Sequence, residues 1–122
     1  MKKIFFLFLL LSLSACFDQE RNCNNFKTGK FRFDFEINGI KKSSFFERSD
    51  SIEIATFDTK KDTSTIRWIN DCECVLQKKR PKNMEEKKAI LIKILSTTKK
   101  SITFEFGYIG SSNKQIGTAL KL

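Results

Sequence analysis

The sequence predicts an all-β protein: a single small antiparallel meander of about eight strands, closed into an up-and-down barrel. Three observations carry this expectation. Residues 31–37 alternate without error, apolar at odd positions and charged at even ones, as a strand with one buried face does. Asn38-Gly39 follows, a pair suited to a two-residue turn in which both residues need positive φ. Short β-branched and aromatic segments then recur along the chain, which holds 13 Phe and a single Pro. Closing the meander removes both sheet edges, a strong advantage for so aromatic a chain. A β-sandwich is the runner-up.

Each element follows in order. Pairing Ile37 with Ile40 across the turn sets Glu36 opposite Lys41 and Phe31 opposite Phe46, so charge meets charge on one face and ring meets ring on the other. Residues 51–57 carry Ile52 and Ile54, and residues 64–69 carry Ile66 and Trp68. Residues 72–78 follow a tight Asn70-Asp71 turn. The segment 89–97 places Ile90, Ile92 and Ile94 on one face, and 101–109 does the same for Ile102, Phe104, Phe106 and Tyr108. Residues 115–122 gather Ile116, Thr118 and Leu120. Only 82–88 (KNMEEKK) has helical character, a turn or two capped at Asn83.

In an up-and-down meander, successive turns fall at alternate ends. Turns one, three, five and seven hold Lys41, Lys42, Lys60, Lys61, Lys78, Lys79, Arg80, Lys82, Lys87, Lys88 and Lys114, against Asp58, Asp62, Glu85 and Glu86. That end is a basic rim and a candidate anion-binding surface for Lys41, Lys42, Lys60, Lys61, Lys78, Lys79, Arg80, Lys82 and Lys114. The other end, with Arg48, Asp50, Asp71, Lys99 and Lys100, is nearly balanced. Cys23 enters the domain at the balanced end and Cys72 follows turn four there, which predicts a Cys23–Cys72 disulfide and leaves Cys74 as a buried thiol. Closing a loop of that size contributes about 4 kcal/mol in the chain-entropy account.

The first residues set the expected compartment. Met1-Lys2-Lys3 is a positive start, and residues 4–13 form an apolar run too short to span a bilayer. Leu13-Ser14-Ala15-Cys16 then resembles the lipobox of bacterial lipoproteins, which implies a signal peptide over 1–15, lipidation at Cys16, a tether over 16–25 and a barrel-like domain over 26–122. Acyl chains on Cys16 would anchor the protein stably to membrane lipid. By resemblance to Gram-negative sorting rules, Phe17 favours the outer membrane, with either leaflet open. Loss of the leader leaves 21 basic and 14 acidic side chains, a net charge of +7. Outside the cytosol this excess points to anionic lipids or envelope proteins and away from nucleic acid.

From the lipobox almost to the C-terminus, the chain resembles a family of small Gram-negative envelope lipoproteins without established activity. Leu13-Ser14-Ala15-Cys16, Asn22-Cys23, Phe26-Lys27-Thr28-Gly29-Lys30-Phe31, Arg67-Trp68 and Asp71-Cys72-Glu73 carry the likeness. Some relatives are labelled DNA topoisomerase IV, an activity whose ATPase site, acidic metal cluster and catalytic tyrosine find no room in 107 exported residues. In topology the expected barrel is similar to lipocalins, with a mouth at the odd-numbered turns and a bottom plugged near the N-terminus.

No recognisable nucleophile with a base, carboxylate pair in a cleft or metal cluster is present, so no enzyme activity, metal or cofactor is expected. The chain has no His, and Cys72-Glu73-Cys74 lacks the usual zinc spacing. Asp34 and Glu36 read as solvated carboxylates, and Trp68 and Tyr108 as packing residues. A net positive charge argues against inhibition of a cationic lysozyme. Two functions remain: a non-catalytic interaction or structural module, and a binding protein for an anionic amphiphile such as a fatty acid or lipid.

Overall fold

A computed structural model describes residues 21–122. The expected signal peptide, lipobox and lipidation site lie outside the described residues. Eight antiparallel strands close into one barrel in chain order: β1 (Gly29–Ile37), β2 (Ile40–Arg48), β3 (Ile52–Phe57), β4 (Lys60–Asn70), β5 (Glu73–Lys78), β6 (Ile90–Thr97), β7 (Ser101–Tyr108) and β8 (Gln115–Lys121). The expected up-and-down barrel is therefore the fold, and β1 pairs with β8 where a sandwich would leave both as edges.

The first hairpin forms as its sequence dictates. Asn38 and Gly39 both take positive φ, +52° and +79°. Ile37 pairs with Ile40, Glu36 with Lys41 and Phe31 with Phe46. The Phe31 and Phe46 rings stack 4.9 Å apart, a geometry that contributes about 1 kcal/mol beyond simple burial.

Two strands expose side chains that periodicity alone would bury. On β3 the inward position belongs to Glu53, which is buried, while Ile54 is exposed. The cause is Arg48, its cross-strand partner, whose Nε lies 2.9 Å from the Glu53 carboxylate. On β8 the face shared by Ile116, Thr118 and Leu120 is the outer one, and Ile116 is 66 % exposed. The inner face carries Gly117 and Ala119 because large rings already fill that volume. A Cβ on Gly117 would lie 2.5 Å from the Phe33 ring and 3.3 Å from that of Phe104. The segment 82–88 forms turns rather than a helix. Asn83 does cap it, its Oδ1 accepting the Glu86 N–H at 2.8 Å, but one turn is too little to propagate a helix.

The lower barrel is filled by Phe31, Ile66, Cys74, Leu76, Ile92, Ile94, Ile102, Phe104 and Ala119. A short 3-10 turn, Cys23–Phe26, plugs the bottom, with Cys23 and Phe26 both buried. The folded domain thus begins three residues before the expected boundary at 26. Cys23 is bonded to Cys72, with Cα atoms 5.2 Å apart, and Cys74 remains a buried thiol. The Lys121 ammonium closes the plug, donating to the Asn25 carbonyl at 2.6 Å and lying over the Phe26 ring. No helix among the described residues is long and apolar enough to cross a membrane.

Candidate functional site: an open seam at the barrel mouth

The barrel wall is not continuous. β1 matches β2 along nine register pairs, yet matches β8 at only three, Phe31 with Lys121, Arg32 with Leu120 and Phe33 with Ala119. Above Phe33 the first and last strands part. The resulting slot runs through the wall from the mouth and forms a cleft of about 1160 Å³. Inward-phase residues Phe33, Phe35, Phe57, Phe106 and Gly117 line it, as do outward-phase Asp34, Glu36, Ile116 and Thr118.

Ring packing explains why the seam opens there. Phe33 lies over the space that Gly117 leaves, and its ring meets Phe104 at 5.7 Å and Phe106 at 6.4 Å. Phe35, one pleat higher, is drawn instead toward Phe57 on β3, at 5.6 Å. Lys42 sits over that same Phe57 ring. The tip of the first hairpin is also unpaired with β3, whose register partners on β2 are confined to residues 45–48. It stands above the barrel as an arm, with Ile37 and Ile40 exposed.

The predicted basic rim is at this end, but its members do different things. Lys42 and Lys60 are in phase with the interior, opposite Phe35 and Phe57. Lys41 and Lys61 take the opposite phase, and Lys61 lines an outer groove with Phe45 and Ile54. Lys79, Arg80 and Lys82 are exposed on the connection after β5. Lys114 lies just before β8 and donates to the Tyr108 carbonyl at 3.3 Å. Lys78 is not available as an anion ligand, because Asp62 and Glu86 hold its ammonium at 2.8 and 2.9 Å. Those hydrogen bonds, Asp62 first, raise its pKa. In return the Lys78 ammonium, with the Lys82 N–H, holds the Glu86 carboxyl below its ordinary range.

The other singled-out residues make packing, surface and cleft contacts. Asp34 is exposed and bound by Arg32 at 3.2 Å and by the Ser43 hydroxyl at 2.6 Å. Trp68 packs against the core with Lys27 over its ring. Tyr108 borders a second cleft of about 600 Å³ that shares Phe106 and Gln115 with the seam. Burial pushes the Cys74 thiol up to about 11, so little of it is thiolate at neutral pH. Among the described residues no group of three or more His, Cys, Asp or Glu side chains is placed to hold a metal ion.

The seam itself carried no sequence signal except Gly117 among larger inward neighbours. The Arg48–Glu53 pair did carry one, since the hairpin register continued two residues past Phe46 turns Arg48 inward. Compared with family models, curated proteins and solved structures, the chain matches none.

Proposed function

We infer that the protein is a lipid-anchored envelope module that works by binding a partner protein at its open end, without catalysis. The observation that carries this reading is the unfinished seam: a barrel filled below and sealed by a disulfide, yet held apart above Phe33. Anchoring rests on the resemblance of Leu13-Ser14-Ala15-Cys16 to a lipobox. A tether ending at Asn22 leads into the plugged end, so the seam faces away from the membrane. Outer-membrane placement follows from Phe17.

A specific observation favours a second reading. Four phenylalanines line the cleft and Lys42 stands at its mouth, a setting that suits an anionic amphiphile. Native mass spectrometry of the protein extracted gently from its own membranes separates the two. A bare lipidated chain beginning at Cys16 is the expected result. A discrete co-purifying small mass, lost when Lys42 and Lys60 are neutralised, would overturn the interaction reading in favour of a carrier.

A further inference from the structure

We propose that the seam is a strand acceptor: it receives an extended segment of a partner polypeptide, which pairs with the free edges of β1 and β8. This rests on the reading of the protein as an interaction module and names the chemistry of its partner.

The direction of the backbone groups carries the argument. The Leu122 N–H donates to the Lys30 carbonyl at 2.8 Å, so the polar groups of Lys30 face β8. Backbone groups of residues two apart in a strand point the same way. Arg32, Asp34 and Glu36 therefore also face β8, and Leu120, Thr118 and Ile116 face β1. Arg32 and Leu120 meet. The next pairs are incomplete: Asp34 and Thr118 keep the one bond that flanks the Phe33–Ala119 pair, and Glu36 and Ile116 are out of register. Three N–H groups, of Glu36, Ile116 and Thr118, and three C=O groups, of Asp34, Glu36 and Ile116, thus border the slot beyond the last register pair. An unpaired strand edge is a template for another strand, and main-chain pairing of this kind tolerates varied sequence while side-chain pockets select.

The side chains around the slot define what the guest carries. Phe33, Phe35, Phe57 and Phe106 line the inner wall, so every second guest residue is apolar. The outer border is mixed, Arg32, Asp34, Glu36 and Thr118 beside Ile116 and Leu120, and it faces solvent, which suits polar residues between. Lys41, Lys42 and Lys114 form no salt bridge among the described residues and stand at the mouth end. An acidic residue belongs there.

Other occupants fit less well. A hydrocarbon tail would cover the rings but strip water from the edge groups and return no hydrogen bond, a penalty for each group so buried. A second copy of the chain brings its own +7 charge to a basic rim.

The test uses the full chain in nanodiscs with the capped synthetic peptide Asp-Val-Thr-Val-Thr-Val, read by residue-resolved amide exchange. Binding is expected to slow exchange at Glu36, Ile116 and Thr118 together. Two peptides N-methylated at alternate residues, one on each edge, should both bind at least about tenfold more weakly, since each loses the donors to β1 or to β8 but keeps every side chain. Glu36→Pro and Thr118→Pro each remove a slot-facing N–H that takes no part in the β1–β2 or β7–β8 ladders, and should weaken binding likewise. Binding of both N-methylated peptides as tight as that of the unmethylated one, or no protection of the three amides at millimolar peptide, would overturn the proposal. So would protection of the same amides by oleate alone. These outcomes are separable from the broader reading: failure of the peptide with a bare chain in native mass spectrometry removes the strand mode only, whereas a co-purifying amphiphile removes both.

Discussion

Replacing Glu53 with Ala should destabilise the barrel far more than any other single-carboxylate change. The Arg48 and Glu53 side chains are 3 % and 10 % exposed, and their Nε to Oε1 distance is 2.9 Å. The guanidinium lies against the stacked pair of aromatic rings, with its centre 4.8 Å from Phe46 and 5.6 Å from Phe31. Its Nη1 is already buried without a partner among the described residues, so none of them offers a spare acceptor to take over from the carboxylate. Removing one member of such a pair leaves an uncompensated buried charge, which costs about 3–5 kcal/mol. That is a large share of the roughly 5–15 kcal/mol that holds a small domain together. Urea unfolding with the disulfide intact, followed by Trp68 fluorescence, measures the loss. The double variant Arg48→Met with Glu53→Leu removes both charges and keeps an apolar group over the rings, so it should lie within about 1.5 kcal/mol of the parent. A Glu53→Ala cost below about 1 kcal/mol would refute the reasoning, because the charge would then have found water or another partner.

Other outcomes follow from the same packing. Serine at both Cys23 and Cys72 should lower stability by about 4 kcal/mol in the chain-entropy account, measured by the shift in urea midpoint at constant m. In the native protein Cys74, its thiol pushed up to about 11 by burial, should resist thiol reagents at pH 8 and react fully once urea unfolds the chain. Gly117→Val should cost about 1–3 kcal/mol by driving Phe33 off its seat, and thermal melts with the ring's NMR shifts would show both effects. The Lys78 cluster gives the connection 79–89 a two-sided pH profile. Glu86 is depressed below its ordinary 4.5, so its contribution stands above that pH and is lost as pH falls through the folded value. Lys78 is raised above 10.5, so its contribution stands below that pH and is lost as pH rises past it. Amide exchange in this segment, corrected for intrinsic rates, should be slowest between those limits, and Lys78→Met should flatten the profile.

Much of this architecture was legible because one strand and one turn constrain the rest. The flawless alternation of 31–37 and the Asn38-Gly39 pair fix a hairpin register, and the parity of turns then places Cys23 beside Cys72 with no further information. Where reading failed, tertiary partners had overridden local pattern. Ile54 yields the inner face to Glu53 because Arg48 needs a counter-charge more than the core needs a methyl group. Ile116 yields it to Gly117 because Phe33 occupies the volume. The basic rim was legible as a tally of lysines at one end, but the capture of Lys78 depends on Asp62 and Glu86, one across the β4–β5 pair and the other after β5. The open seam was the least legible feature. It is a property of how far two strands whose paired residues lie 86 to 90 positions apart stay together, which no local pattern records.

Because that seam joins the first strand to the last, only a finished chain can close it. The bridge between Cys23 and Cys72 needs nothing beyond residue 72, so the first half of the barrel can be pinned while β8 is still missing. Contacts that close long loops form late and slowly, and here the late contact is three register pairs wide. A product cut just before β8 would keep its disulfide and its first hairpin while exposing the whole of β1 as an edge. Such a fragment is the species of this sequence most prone to aggregate, and β8 serves as much to retire that hazard as to complete a core.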